Sequence, residues 1–146
     1  MIPITNLSIG LIQALLNILV VIPWTLKIVF QIDDFGFGFF VLPLVTPLSF
    51  FLLFGIASAL EYLKKHSLSR KFILFGHWTV ILSIVLWTII MPFLWVTFFV
   101  LPICMVFLLN VKNGRNQKQL LVMNSIALLA QIALMTYFDF QIVGLP

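Results

Sequence analysis

Charge is what this chain has least of. Asp, Glu, Lys and Arg together make up 8% of its 146 residues, against about 25% in an ordinary soluble domain. The hydrophobic share is 63%, and so little charge cannot cover so much apolar surface in water. The shortage is also uneven. Forty consecutive residues, Phe72 to Val111, hold no Asp, Glu, Lys or Arg. That run is too apolar for a loop and too long for one membrane crossing, because a hydrocarbon core about 30 Å thick takes roughly 20 helical residues. It divides into two crossings joined by a tight turn.

Other scarcities exclude other classes. Cys104 is the only cysteine, so an internal disulfide, a CxxC pair and a Cys/His cluster are all ruled out. Inside an apolar run it reads as a small buried hydrophobe. No Lys or Arg precedes Lys27, and the apolar stretch there is long for a signal peptide, so it is expected to be the first span. No lipidation motif is seen. The pI near 9.6 does not point to nucleic acid. The basic residues lie mostly in two short loops between apolar runs, where they act as topology signals.

What is present fits one integral membrane domain, residues 1–146, with spans at about 7–30, 39–63, 72–90, 93–111 and 120–137. The fold class is all-α, a polytopic transmembrane bundle. A polar loop, Gln31 to Gly38, follows span 1. Lys64, Lys65, His66, Arg70 and Lys71 follow span 2. Met91-Pro92 marks the turn after span 3, since proline removes a donor and disfavours helix in the residue before it. Lys112, Arg115 and Lys118 follow span 4.

The two basic loops flank a two-span hairpin and must share a side. Basic loops favour the cytoplasm, so the N-terminus is expected inside. Asp33, Asp34, Asp139 and the C-terminus are then outside. A four-span chain would need 72–111 as one kinked helix and would split the basic loops between the two faces. Trp24, Trp87 and Trp95 fall near expected outer ends and Trp78 toward an inner one, as interfacial tryptophans should. Phe39-Phe40-Val41-Leu42-Pro43 recurs as Phe98-Phe99-Val100-Leu101-Pro102, each downstream of a Trp-Thr pair. This is either a parallel two-span repeat or coincidence in a chain rich in Phe, Leu and Val.

Polar residues inside the spans are the candidate site. Gly10, Gln13 and Asn17 share one face of span 1 by i, i+3, i+7 spacing, and Asn124, Ala127 and Gln131 repeat it on span 5. Thr79 and Ser83 are four apart on span 3, with Gly76 on the same side and His77 just inside the span. Spans 1, 3 and 5 all run outward, so Gln13, Asn17, His77, Thr79, Ser83, Asn124 and Gln131 can form one polar layer. Such a layer either bonds helices together or lines a cavity for a small solute. For His77 the bland role is a hydrogen bond to a neighbouring helix. Gly10/Ala14 and Gly55/Ala59 have the small-xxx-small spacing of close helix packing.

Glu61 precedes Lys64 and Lys65 by three and four residues, the spacing of a helical ion pair. No carboxylate is expected near mid-membrane, where an ion carrier needs one. His66 and His77 are not placed as a haem pair. The carboxylates at 33, 34 and 139 are separated from both histidines by about 30 Å of hydrocarbon, so no Ser–His–Asp set can assemble. Asp33-Asp34 with Gly36 and Gly38 reads as a solvated turn.

The expected protein is therefore non-enzymatic, needs no cofactor or metal, and sits multi-pass in the cell (inner or plasma) membrane. It acts through intramembrane contacts as an accessory, assembly or immunity-type subunit. Its partners are the lipid bilayer and either another membrane protein or a second copy of itself. The alternative is a small oligomeric transporter or channel that uses the polar layer.

Overall fold

The computed structural model describes residues 2–30, 35–92, 96–114 and 116–138, and every element among them is helical. They form five rods. The first is α1 (Ile2–Leu16), a π-helical turn Asn17–Val21, and α2 (Ile22–Phe30). The second is α3 (Phe35–Phe50) running into α4 (Leu52–Tyr62). Then come α5 (His66–Ile90), α6 (Val96–Lys112) and α7 (Asn116–Phe138).

Four helical stretches are long and apolar enough to cross a membrane: Ile2–Lys27, Leu42–Tyr62, His66–Ile90 and Asn116–Thr136. Phe99–Val111 is a shorter apolar stretch. It belongs to α6, whose 17 residues span about 25 Å at 1.5 Å per residue. An apolar core, with Phe54, Ile73 and Leu120 fully buried, shares the interior with several polar groups. Leu11, Leu15, Leu19, Phe75, Leu82, Ile89, Leu109 and Leu129 are exposed, while Gln13, Asn17, His77, Asn124 and Gln131 are fully buried. Exposed apolar residues on α1, α5, α6 and α7, with buried amides inside, suit a hydrocarbon solvent.

Proline explains the first irregular turn. Pro23 has no N–H and its ring crowds the carbonyl four residues back. The ladder widens just before it, and the Ile22 N–H reaches the Asn17 carbonyl, five residues away. Pro43 and Pro47 lie inside α3, and the rod breaks at Phe51. There the Phe51 and Phe54 N–H groups bond three residues back, at 3.1 and 3.0 Å. Both copies of the Phe-Phe-Val-Leu-Pro string lie in helix, with Pro43 and Pro102 internal.

Element ends differ from the sequence expectation. His66 to Lys71 are the first turns of α5, and the α4–α5 connection is only Leu63–Lys65. Likewise α7 begins at Asn116, and α1 at Ile2. Helix continues past the apolar run because Lys, Arg and Gln are good helix formers. Gly36 and Gly38 belong to α3 and not to a turn. Asp33 and Asp34, Trp95, Arg115 and Asp139 with the tail lie outside the described residues. Met91 ends α5 as expected, with φ −130° and ψ 82°, the extended region that Pro92 imposes.

Side chains tie the ends together. Arg70 Nη2 donates to the Val111 carbonyl at 2.8 Å, joining the start of α5 to the end of α6. Asn6 Nδ2 donates to the Gln117 carbonyl at 2.8 Å, joining the start of α1 to the start of α7. Ser69 Oγ donates to the Ala57 carbonyl at 2.9 Å, joining α5 to α4. Both basic segments and the start of α1 therefore share one end of the bundle, called here the basic end.

Candidate functional site

The site grows out of three helices that approach closely because small residues let them. A Cβ on Gly55 would stand 2.8 Å from the Gly10 carbonyl oxygen, 2.9 Å from Gln13 Oε1 and 3.2 Å from Ala14 Cβ. Gly10, Ala14 and Gly55 thus make the α1–α4 contact that their spacing implies. From the third side, Asn124 Nδ2 on α7 donates to Ser58 Oγ at 2.7 Å. Ser58 passes its own proton to the Phe54 carbonyl at 3.0 Å.

Along this α1–α4–α7 seam polar groups follow one another away from the basic end. Asn6 and Gln119 lie near that end, both almost fully buried. At 1.5 Å per residue Gln13 lies about 10 Å and Asn17 about 16 Å beyond Asn6. Gln131 lies about 21 Å beyond Gln117 by the same rise.

The hydroxyls and the amides behave differently. Thr25, Thr46, Ser49, Thr79, Thr88, Ser125 and Thr136 donate to carbonyls of their own helices, mostly four residues back. A short side chain can reach its own backbone. Carboxamides and imidazole rarely can. Among the described residues Gln13, Asn17, Gln119 and Gln131 keep both polar atoms buried with no protein partner, as does His77. Buried polar groups in native proteins are nearly all hydrogen-bonded, and in hydrocarbon each orphan costs several kcal/mol by order of magnitude. Asn17 also sits at the π-turn, a distortion frequent at functional sites.

The residues expected to form one polar layer differ in their surroundings. Gln13, Asn17, His77, Ser83, Asn124 and Gln131 are buried. Thr79 stands apart, half-buried, its hydroxyl spent on the Phe75 and Gly76 carbonyls of its own helix. Ser83 is the exception among hydroxyls, buried with its Oγ unpartnered. Among the described residues His77 makes no hydrogen bond to a neighbouring helix. Its ring meets the Phe54 ring edge-on, with centroids 4.9 Å apart. Asn6 and Ser58 are seam residues that helical spacing alone did not mark, and Gln119 is a further buried amide on α7. Asn6 and Gln119 fell one residue outside the expected spans. Asn6 does continue the face of Gly10, Gln13 and Asn17 at i, i+4, i+7, i+11.

The expected pairing of Glu61 with Lys64 and Lys65 is not what forms. Glu61 Oε1 takes His66 Nδ1 at 2.7 Å. Helix α4 ends at Tyr62, and Lys64 turns the chain with φ 59°, so residues 64 and 65 leave the helical register that an i, i+4 pair needs.

A second feature faces outward from the seam. Pro43, Pro47 and Phe51 of the second rod, Val100 of α6, and Ala130 and Ala133 of α7 line an apolar groove of about 280 Å³. It lies toward the end of the bundle away from the basic end, where α6 and α7 pack loosely. Comparison with protein families, with curated proteins and with solved structures finds no match.

Proposed function

We propose that this is a five-span, multi-pass protein of the cell membrane, N-terminus inside and C-terminus outside, that acts without catalysis by binding within the bilayer. It serves as an accessory, assembly or immunity-type subunit, and its partner is another membrane protein or a second copy. The groove carries this reading. Its walls are apolar and two alanines open it; in a five-span topology it would lie at hydrocarbon depth, where a side chain of a neighbouring helix can enter. The fifth span is α6, short but at the lower limit of a crossing.

The test is co-purification in mild detergent, followed by mass spectrometry. A stoichiometric partner should accompany the wild type and be lost from Ala130→Phe, which fills the groove.

The unpartnered amides favour a second reading. Gln13, Asn17 and Gln131, buried without protein partners, are the groups a small neutral polar solute would meet if the seam opened in a transporter or channel. Uptake lost in Asn17→Leu with the fold intact would support it. Uptake unchanged in that variant would remove it.

A further inference from the structure

Seven of the eight Lys and Arg residues lie in or beside the two basic segments. Topology accounts for their number, but not for their arrangement. Lys64, Lys65 and Lys71, with His66, Ser67 and Leu68, line a shallow, open depression where α4 turns into α5. Glu61 is the only carboxylate between Phe35 and Phe138, and it is engaged with His66. Among the described residues no ion pair to Lys64, Lys65 or Lys71 forms.

Lys64 occupies an unusual place. The Lys65 N–H bonds the Leu60 carbonyl at 2.9 Å and the Lys64 N–H bonds the Glu61 carbonyl at 3.1 Å. This is a Schellman ending, whose left-handed position normally belongs to glycine. The other basic turn does use glycine there, Gly114 at φ 78°. Here a lysine holds it, and an ammonium is presented where the backbone gains nothing from a side chain.

The same turn presents apolar surface. Leu63 is 62% exposed, Tyr62 50% and Leu68 42%. Three unpaired ammonium groups beside exposed leucine and tyrosine match an amphiphile with an anionic head. A free anion would have no use for the leucines.

We infer that the α4–α5 turn binds an anionic phospholipid, its phosphate held by Lys64, Lys65 and Lys71 and its glycerol and upper acyl carbons lying on Leu63, Leu68 and Tyr62. This rests on the membrane-spanning topology proposed above, and on neither the partner nor the solute reading.

The experiment is native mass spectrometry of the full chain in mild detergent, with equimolar phosphatidylglycerol and phosphatidylcholine. The wild type should retain phosphatidylglycerol preferentially. K64G/K65Q/K71Q should bind it about a hundredfold more weakly, at about fivefold per lysine. K27Q/K112Q/K118Q removes the same charge elsewhere and should lose less than a tenth as much. Millimolar inorganic phosphate should not displace the lipid. Equal losses in the two triple variants, no loss in the first, or displacement by phosphate would each overturn the assignment. Lys64→Gly suits the turn, and K65Q/K71Q leaves its backbone untouched. If the triple variant unfolds, the double variant decides, with about a twenty-fivefold loss expected and an unchanged affinity contradicting the site.

Discussion

Arg70 Nη2 lies 2.8 Å from the Val111 carbonyl oxygen, a bond across forty-one positions of sequence. It fixes the α5–α6 pair as an antiparallel hairpin and brings both basic segments to one end. In a membrane those segments then face one compartment. With Cys104→Ala as background, Ser67→Cys and Asn113→Cys should react with an impermeant maleimide from the same side. Lys27→Cys should react from the other. Labelling of residues 67 and 113 from opposite sides would remove the fifth span.

The contact of Gly55 with the Gly10 backbone predicts an asymmetry between two glycines. Gly55→Ala drives a Cβ to 2.8 Å from a carbonyl oxygen, which cannot move without its helix. It should cost about 1–3 kcal/mol, the usual range for overpacking. Gly10→Ala meets Ser58 and Asn124 side chains at 3.1–3.2 Å and should cost less. Unfolding in mixed detergent micelles measures both. A Gly55→Ala protein as stable as wild type would contradict this packing.

The seam gives opposite signs for two kinds of amide. Asn124→Leu loses the bond to Ser58 and should destabilise by about 0.6 kcal/mol, an average interhelical bond in a membrane protein. Gln131→Leu has no protein bond to lose. Replacing an unsatisfied buried amide with an apolar group of similar size should be neutral or stabilising. If Gln131→Leu destabilises as Asn124→Leu does, the amides are adhesive and the transport reading loses its support.

Lys64 at φ 59° makes a backbone prediction. A left-handed L-residue costs roughly 1–2 kcal/mol that glycine avoids, so Lys64→Gly should stabilise the protein by about 1 kcal/mol or less. Lys65→Gly should not stabilise it, since Lys65 lies at φ −92°. A destabilised Lys64→Gly would mean that the lysine side chain itself supports the turn.

Much of this architecture is legible in the chain, for identifiable reasons. Uncharged run lengths mark the rods, and Met91-Pro92 marks the hairpin turn. Gly10, Gln13 and Asn17 show their shared face because helical periodicity is a property of sequence. Partners are not. Whether Glu61 meets Lys64 or His66 depends on where α4 stops, and that is set by a left-handed residue that nothing in a lysine codon announces. Ser58 hides among small residues until α7 is docked on it. The apolar groove depends on how α6 and α7 diverge, which no local pattern records. The π-turn at Asn17 is a partial case. Pro23 announces a disturbance, though not its form.

The proposed activity of this protein is to hold a membrane partner in the groove between Pro47 and Ala130. The most direct measurement is the amount of co-purifying protein per chain, wild type against Ala130→Phe, in mild detergent from native membranes at equal expression. One stoichiometric species, another membrane protein or a second copy of this chain, should be present with the wild type and reduced at least tenfold with the variant. A wild-type preparation that is monomeric and free of any stoichiometric companion, or a companion retained equally by Ala130→Phe, would contradict it.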